Sequence, residues 1–168
     1  MHFFGMRECL EKAVAASGWE KELPDSAEGK VRGRGVACVI KATLTPSISS
    51  AMIRLNEDGS ASVYVGSVEI GQGSDTVMSQ IVSEELAIPI SQVSLVRSDT
   101  DSSLYDITTS SSRSTFHMGR ALILAAQEVK KQLAEIAAPL FKVHPDKLVF
   151  KDQTVKYEGD SSQAVSYH

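Results

Sequence analysis

A glycine-bracketed turn, Glu69-Ile70-Gly71-Gln72-Gly73-Ser74-Asp75-Thr76, separates a strand-like run from a helical one and constrains the fold more than any other segment. Before it, Ala61-Ser62-Val63-Tyr64-Val65 has the alternation of a half-buried strand. After it, Val77, Met78, Ile81, Val82 and Leu86 recur at helical spacing. The chain must therefore pass from a strand to a helix N-terminus at Gly71-Gln72-Gly73. Backbone N–H groups and the positive end of a helix dipole favour an anionic or hydrogen-bonding ligand at such a point. A plainer reading stands beside this one: the glycines make a tight turn, Gln72 is exposed, and Ser74 or Asp75 caps the helix. No Gly-Lys-Ser/Thr follows, so the segment is not a phosphate-binding P-loop, and it is not a GxGxxG fingerprint.

The remaining pattern predicts a helix from Phe4 to Ser17 with Met6, Cys9, Leu10, Ala13 and Val14 on one face, stopped at Gly18. A polar loop, Trp19 to Lys30, leads into a glycine-rich start, Arg32-Gly33-Arg34-Gly35, and an apolar strand ending at Ile40. After a loop around Pro46 come two strands, Ala51 to Leu55 and Ser60 to Val65. The Asp58-Gly59 step between them signals a hairpin. Val93 to Val96 reads as a short strand and Arg97 to Ser112 as a long polar loop. A helix from Arg113 to Leu140 carries an apolar stripe of Met118, Ala121, Leu122, Ala125, Val129, Leu133, Ile136 and Leu140, with Pro139 expected to break or kink its end. Leu148 to Phe150 and Thr154 to Tyr157 form a small hairpin, and the polar tail from 160 to 168 is expected to be loose. The order predicts an α+β fold, helices packed on a mostly antiparallel sheet. It is read as one subdomain over 1–168: a helix and loop to about 30, a core over 31–159, then the tail. One such layer leaves apolar surface without a partner, which points to self-association or to a larger assembly.

With 168 residues the chain is long enough for a real core. Its net charge of −4 and pI near 5.6 argue against a nucleic-acid surface or a polybasic membrane anchor. No apolar run approaches the roughly 20 residues of a membrane span, and no signal peptide is recognisable, so a cytoplasmic location is expected. Cys9 and Cys38 lack metal-ligand spacing and read as buried apolar thiols.

A second polar cluster precedes the long helix. Thr108-Thr109-Ser110-Ser111-Ser112-Arg113-Ser114-Thr115 packs seven hydroxyls and a guanidinium into eight residues. Hydroxyls, a planar fork of donors and a helix start together suit phosphate or diphosphate oxygens; capping by Ser112 or Ser114 explains the serines equally well. Arg32-Gly33-Arg34-Gly35 reads as a bend into a strand. His117 sits on the first turn of the long helix as a surface residue. Asp99, Asp101 and Asp106 read as a solvated acidic stretch without the spacing of a calcium loop. No histidine is placed for a catalytic triad.

Taken together, these segments resemble the molybdenum-cofactor-binding subunit of the xanthine dehydrogenase/aldehyde oxidase family. The resemblance runs through Arg32 to Ala37, Asp58-Gly59, Glu69 to Thr76, Gln80 to Leu86, Asp99-Thr100, Ser111 to Thr115 and Gly119-Arg120-Ala121. It implies that Gly71, Gln72 and Gly73 line a molybdenum-pyranopterin cofactor, in its mononucleotide or dinucleotide form. Ser112, Arg113 and Ser114 match the family's second cofactor-contacting segment. Ser110 and Ser111 stand where relatives often have Gly or Ala facing the substrate cavity. The dithiolene of the cofactor holds the metal, which agrees with the lack of Cys or His ligands here. The parent reaction is hydroxylation of an aldehyde or electron-poor heterocyclic carbon with oxygen from water. The family's catalytic glutamate lies beyond these residues, so the chain resembles one piece of a larger subunit, expected to be inactive alone and empty of cofactor. Its implied partners are the remainder of that subunit and iron–sulfur and flavin domains or subunits. A free-standing phosphate- or nucleotide-binding module, or a non-catalytic scaffold, are the alternatives.

Overall fold

A computed structural model describes residues 5–39, 47–97 and 99–168. Two compact units divide the chain between Lys41 and Ala42. In the first, helix α1 (Met6–Ala16) ends at Ser17, followed by Gly18 at φ +61°. Met6, Leu10 and Val14 are half-buried, whereas Cys9 and Ala13 are exposed, so the predicted apolar face is only partly used. The Arg34 guanidinium donates to the carbonyls of Gly18, Trp19 and Lys21. It thereby satisfies backbone acceptors just past the helix end, where cations are favoured. The apolar strand expected up to Ile40 is absent from 31–39: no partner strand pairs there among the described residues, and Val31 and Val39 are exposed. Ile40 itself lies outside the described residues. Both cysteines are exposed rather than buried.

The second unit is α+β. Strands β1 (Ala51–Leu55), β2 (Ala61–Val65) and β3 (Val93–Val96) form a sheet in the order β1-β2-β3. The hairpin falls where Asp58-Gly59 placed it, with Gly59 at φ +80° and Leu55 opposite Ala61. β3, in contrast, runs parallel to β2, with Val63 opposite Leu95. Helix α2 (Ser74–Leu86) makes the crossover between these parallel strands. A parallel pair cannot be joined by a tight turn, so a helix between neighbouring strands is the geometry expected.

Helix α3 (Gly119–Phe141) packs beside α2, and both cover the same sheet face. Ala61, Val63 and Val65 meet Met78, Val82 and Leu86 of α2 and Leu122 and Ala126 of α3 in one core. Burying side chains of this kind stabilises by about 1.5–3 kcal/mol each before entropy is charged. Near its end α3 changes neighbours. Ala134, Ala137 and Ala138 pack against Leu148 and Val155 of a second, antiparallel sheet formed by β4 (Leu148–Lys151), β5 (Thr154–Tyr157) and β6 (Asp160–Ser166).

Three expectations are corrected here. Ile136 and Leu140 are 72% and 64% exposed, because the close approach of the second sheet selects the alanine stripe next to them. Pro139 does not interrupt the helix: it lies in the last turn, where few i→i−4 bonds remain to lose. The tail is a paired strand, with Val155 opposite Val165. Tyr167 beyond it packs on both cores and donates its hydroxyl to the Leu86 carbonyl at 2.8 Å.

Candidate functional site

Because β2 and β3 are parallel neighbours, the loops leaving their C-terminal ends start side by side. Ligands of open α/β sheets bind at that end of the strands. One loop is Gly66–Gly73 before α2; the other runs from Arg97 to Arg113 before the long helix. They line a common cavity of about 480 Å³ through Ile70, Gln72, Thr109, Ser110, Ser111, Ser112, Ser114 and Thr115. The structure thus brings together Gln72 and the four serines singled out in the sequence. The cavity is rich in hydroxyls, and no charged side chain lines it among the described residues.

Direct bonds wire the two loops together. Val68 N donates to Thr109 Oγ1 at 2.9 Å, and Ser67 Oγ donates to Asp106 Oδ2 at 2.7 Å. Gly66 is pressed so closely on the second loop that an added Cβ would stand 2.6 Å from the Leu104 carbonyl and 2.8 Å from the Asp106 Cβ. Only glycine allows that approach.

Arg113 does not offer its side chain to the cavity. It is 1% exposed, as is the Asp106 carboxylate it pairs with at 2.7 Å. The guanidinium also donates to Ser47 Oγ, the Ile48 carbonyl, Ser49 Oγ and the Thr108 carbonyl. With its donors spent inside the protein, it is not the phosphate fork that the sequence suggested. Asp106 correspondingly leaves the solvated acidic stretch. Burial pushes its carboxyl up, but the Ser67 hydroxyl, Arg113 and the Ser49 hydroxyl outweigh this and hold it below the usual carboxylate range. Asp99 and Asp101 remain exposed, and no cluster of potential metal ligands occurs among the described residues.

Just before Arg113 the backbone is strained. Ser111 and Ser112 adopt left-handed conformations in succession, φ +53° and +54°. Non-glycine residues pay for that conformation, and such outliers cluster at functional sites. The next residues, Ser114–Met118, make a π-helical turn before α3 begins at Gly119. Single π turns also concentrate at functional sites. Neither Ser112 nor Ser114 caps the helix: no side-chain cap bond is present there, and Ser114 is buried.

The turn before α2 is built differently from expectation. Gly71 and Gly73 take φ +93° and +77°. Gln72 is exposed, but its amide folds back, accepting from Ile70 N at 2.6 Å and donating to the Val68 carbonyl at 2.9 Å. The helix start is capped by neither Ser74 nor Asp75 but by Glu69. Its carboxylate accepts from Gly71 N, Gly73 N, Asp75 N and Ser74 Oγ at 2.7–3.1 Å. The Asp75 and Gly73 amides are the chief cause that lowers its pKa to about 2. Sequence reasoning passed over Glu69 and Asp106 as contributors and counted Thr109 only among the hydroxyls of the second cluster. An acidic residue a few positions before a glycine-led helix start was the available signal for Glu69.

His117 is half-buried and sits edge-on to Phe116, with ring centroids 5.1 Å apart. It lines a largely apolar cavity of about 710 Å³ with Ile48, Ile81, Phe116 and Leu124. Ser112 and Thr115 border both cavities.

Residues 10–168 match a family model described as a molybdopterin cofactor-binding domain. The chain is 37% identical over 142 residues to the putative xanthine dehydrogenase molybdenum-binding subunit of Escherichia coli K12, covering 80% of this chain and 19% of that protein. It is 34% identical over 114 residues to the carbon monoxide dehydrogenase large chain of Hydrogenophaga pseudoflava, covering 68% and 14%. Among solved structures, the carbon monoxide dehydrogenase of Oligotropha carboxidovorans superposes with a TM-score of 0.67 at 30% identity, over 72% of this chain and 15% of that one. Quinoline 2-oxidoreductase from Pseudomonas putida 86 shares the fold, with a TM-score of 0.67 at 22% identity over 73% and 16%. The chain spans about a fifth or less of the length of each.

Proposed function

The chain belongs to the molybdopterin cofactor-binding domain family of xanthine dehydrogenase- and aldehyde oxidase-type molybdenum hydroxylases, and from this we propose that its two loops form one wall of the cradle for a molybdenum-pyranopterin cofactor. One observation carries the reading: loops from two adjacent parallel strands face a single hydroxyl-lined cavity. The donor set fits the group. A pterin edge and phosphate oxygens require closely spaced hydrogen-bonding atoms, and Thr109 to Ser112, Ser114 and Thr115 supply hydroxyls along one side of the cavity.

When bound, the cofactor supplies the metal and the redox chemistry; the protein supplies placement and hydrogen bonds. Gly71, Gln72 and Gly73 present a preset turn on one side. Ser112 and Ser114 present hydroxyls and backbone on the other, held there by the buried Arg113. Ser110 and Ser111 face the substrate cavity and make that wall polar. Arg113 contributes as a positioning residue, with its charge spent on Asp106 rather than offered to the cofactor. The catalytic glutamate, the remainder of the subunit, and iron–sulfur and flavin centres complete a hydroxylase around this wall, so the chain by itself is inactive. Exposed Ile70, Tyr105 and Ile107 near the cavity fit coverage by that remainder.

Molybdenum content of the full subunit tests the reading. A hydrogen bond to a charged group is worth about 1.5–3 kcal/mol, so Ser112→Ala is expected to weaken cofactor retention by about ten- to a hundredfold. Gln72→Ala is expected to lower it as well. Unchanged molybdenum content in both variants refutes the proposal.

A further inference from the structure

The start of an α-helix leaves backbone N–H groups without intrahelical partners, and anions are drawn to them. At the start of α2 one of these donors, Asp75 N, and the N-cap amide of Gly73 already have an anion. Three backbone amides and the Ser74 hydroxyl converge on the Glu69 carboxylate, with Gly71 N at 2.7 Å, Gly73 N at 3.0 Å, and Asp75 N and Ser74 Oγ at 3.1 Å. Among the described residues, apart from the immediate chain neighbours, no atom lies within 4 Å of where a Cβ would stand on Gly71 or Gly73. Their glycines are therefore required by the left-handed backbone that curls around Glu69, not by close packing. The Gln72 amide ties the same turn to Val68 and Ile70.

We propose that Glu69 is a built-in anion: a positioning residue that fills the N-terminal site of α2, presets the Gly71-Gln72-Gly73 turn and excludes an incoming phosphate from it. Two other charged groups face this carboxylate. Asp75 lies on the first turn of α2, and Arg97 just after β3 has its Nε 3.9 Å from Asp75 Oδ2; with Glu69 they line a small cleft of about 220 Å³. A second carboxylate beside Glu69 reinforces the exclusion, and the exposed Arg97 is paired towards Asp75. A further consequence rests on the cofactor reading above. The anionic end of the cofactor is received by the loop at 109–115, and the α2 turn meets it through uncharged hydrogen-bonding groups.

Amide ¹H–¹⁵N spectra of the full chain test this, with inorganic phosphate as the probe. In the wild type at neutral pH, the Gly71, Gly73 and Asp75 resonances stay in place as millimolar phosphate is added. In Glu69→Ala the same three shift saturably, while core resonances such as Val63 and Leu122 do not. Glu69→Gln keeps one acceptor oxygen, so the turn persists without the negative charge. In the wild type the three amides move together as pH falls through the range where Glu69 takes up its proton, and Glu69→Gln abolishes that movement. Saturable phosphate shifts at these amides in the wild type overturn the proposal. So do amides that titrate independently of one another, or a Glu69→Ala chain with a native core that leaves them unmoved. A full subunit whose molybdenum content ignores Gln72 and Ser112 refutes the cofactor reading and leaves these measurements standing.

Discussion

Arg113→Met removes a guanidinium but keeps an unbranched side chain of similar length. In the wild type its five hydrogen bonds reach Asp106, Ser47, Ser49 and the carbonyls of Ile48 and Thr108. Both members of the ion pair are 1% exposed, so the variant leaves the Asp106 carboxylate buried without a countercharge. Breaking a buried pair in this way costs about 3–5 kcal/mol. With a urea m-value of about 1–3 kcal/mol/M for a domain of this size, the midpoint should fall by roughly 2 M. The cost should depend on pH with a definite sign. Asp106 is held below the usual carboxylate range largely by Ser67 and Arg113 against its own burial. Without Arg113 burial raises it, so the gap to wild type is widest near neutrality and narrows as acid neutralises the stranded carboxylate. Replacing both partners, Asp106→Leu with Arg113→Met, should recover part of the loss, since removing both charges spares the cost of burying one unpaired. A single variant within about 1 kcal/mol of wild type refutes the argument. So does a double variant that is no more stable than the single one.

Other outcomes follow from the same geometry. Glu69 has an ordinary carboxyl pKa of 4.5 and about 2 in the folded protein. Its stabilising contribution is therefore complete above pH 4.5 and is lost as pH falls from there towards 2; urea midpoints of Glu69→Gln across that interval should show a flatter acid limb than wild type. Gly66→Ala places a methyl group 2.6 Å from the Leu104 carbonyl. Overpacking of that kind costs about 1–3 kcal/mol, and the same change should separate the two loops, weakening amide protection at Val68.

Much of the second unit was legible because its patterns are short-range. The alternation in Ala61–Val65, the Asp58-Gly59 turn and the α2 stripe depend on neighbours a few residues apart, and each lies where the sequence placed it. Parallel pairing of β2 and β3 was not legible, because nothing within either strand specifies the direction of its partner. Asp160–Ser166 lacks an apolar face strong enough to announce a strand, and its pairing comes from backbone bonds that any sequence can make. The candidate site was legible as residue types and not as directions. Ser110, Ser111, Ser112, Ser114 and Gln72 do line the cavity. Arg113 turns inward because Asp106, seven residues earlier, supplies a buried charge to meet it. Glu69 was read as a flank of the glycine motif, although it satisfies the donors that the motif exposes.

The bond from the Tyr167 hydroxyl to the Leu86 carbonyl joins residues 81 positions apart. Gln153 N donates to the Ala87 carbonyl beside it, and Tyr167 N donates to the Gln153 carbonyl. The serine-rich loop lies inside the ring of chain closed by this contact, while the glycine turn lies just ahead of it. Long-range closures slow folding, because chain entropy is spent before the contact repays it. During synthesis the end of α2 cannot be latched until Tyr167 has left the ribosome. The glycine turn and the helix it starts are therefore made early, and the far end of that helix is secured late.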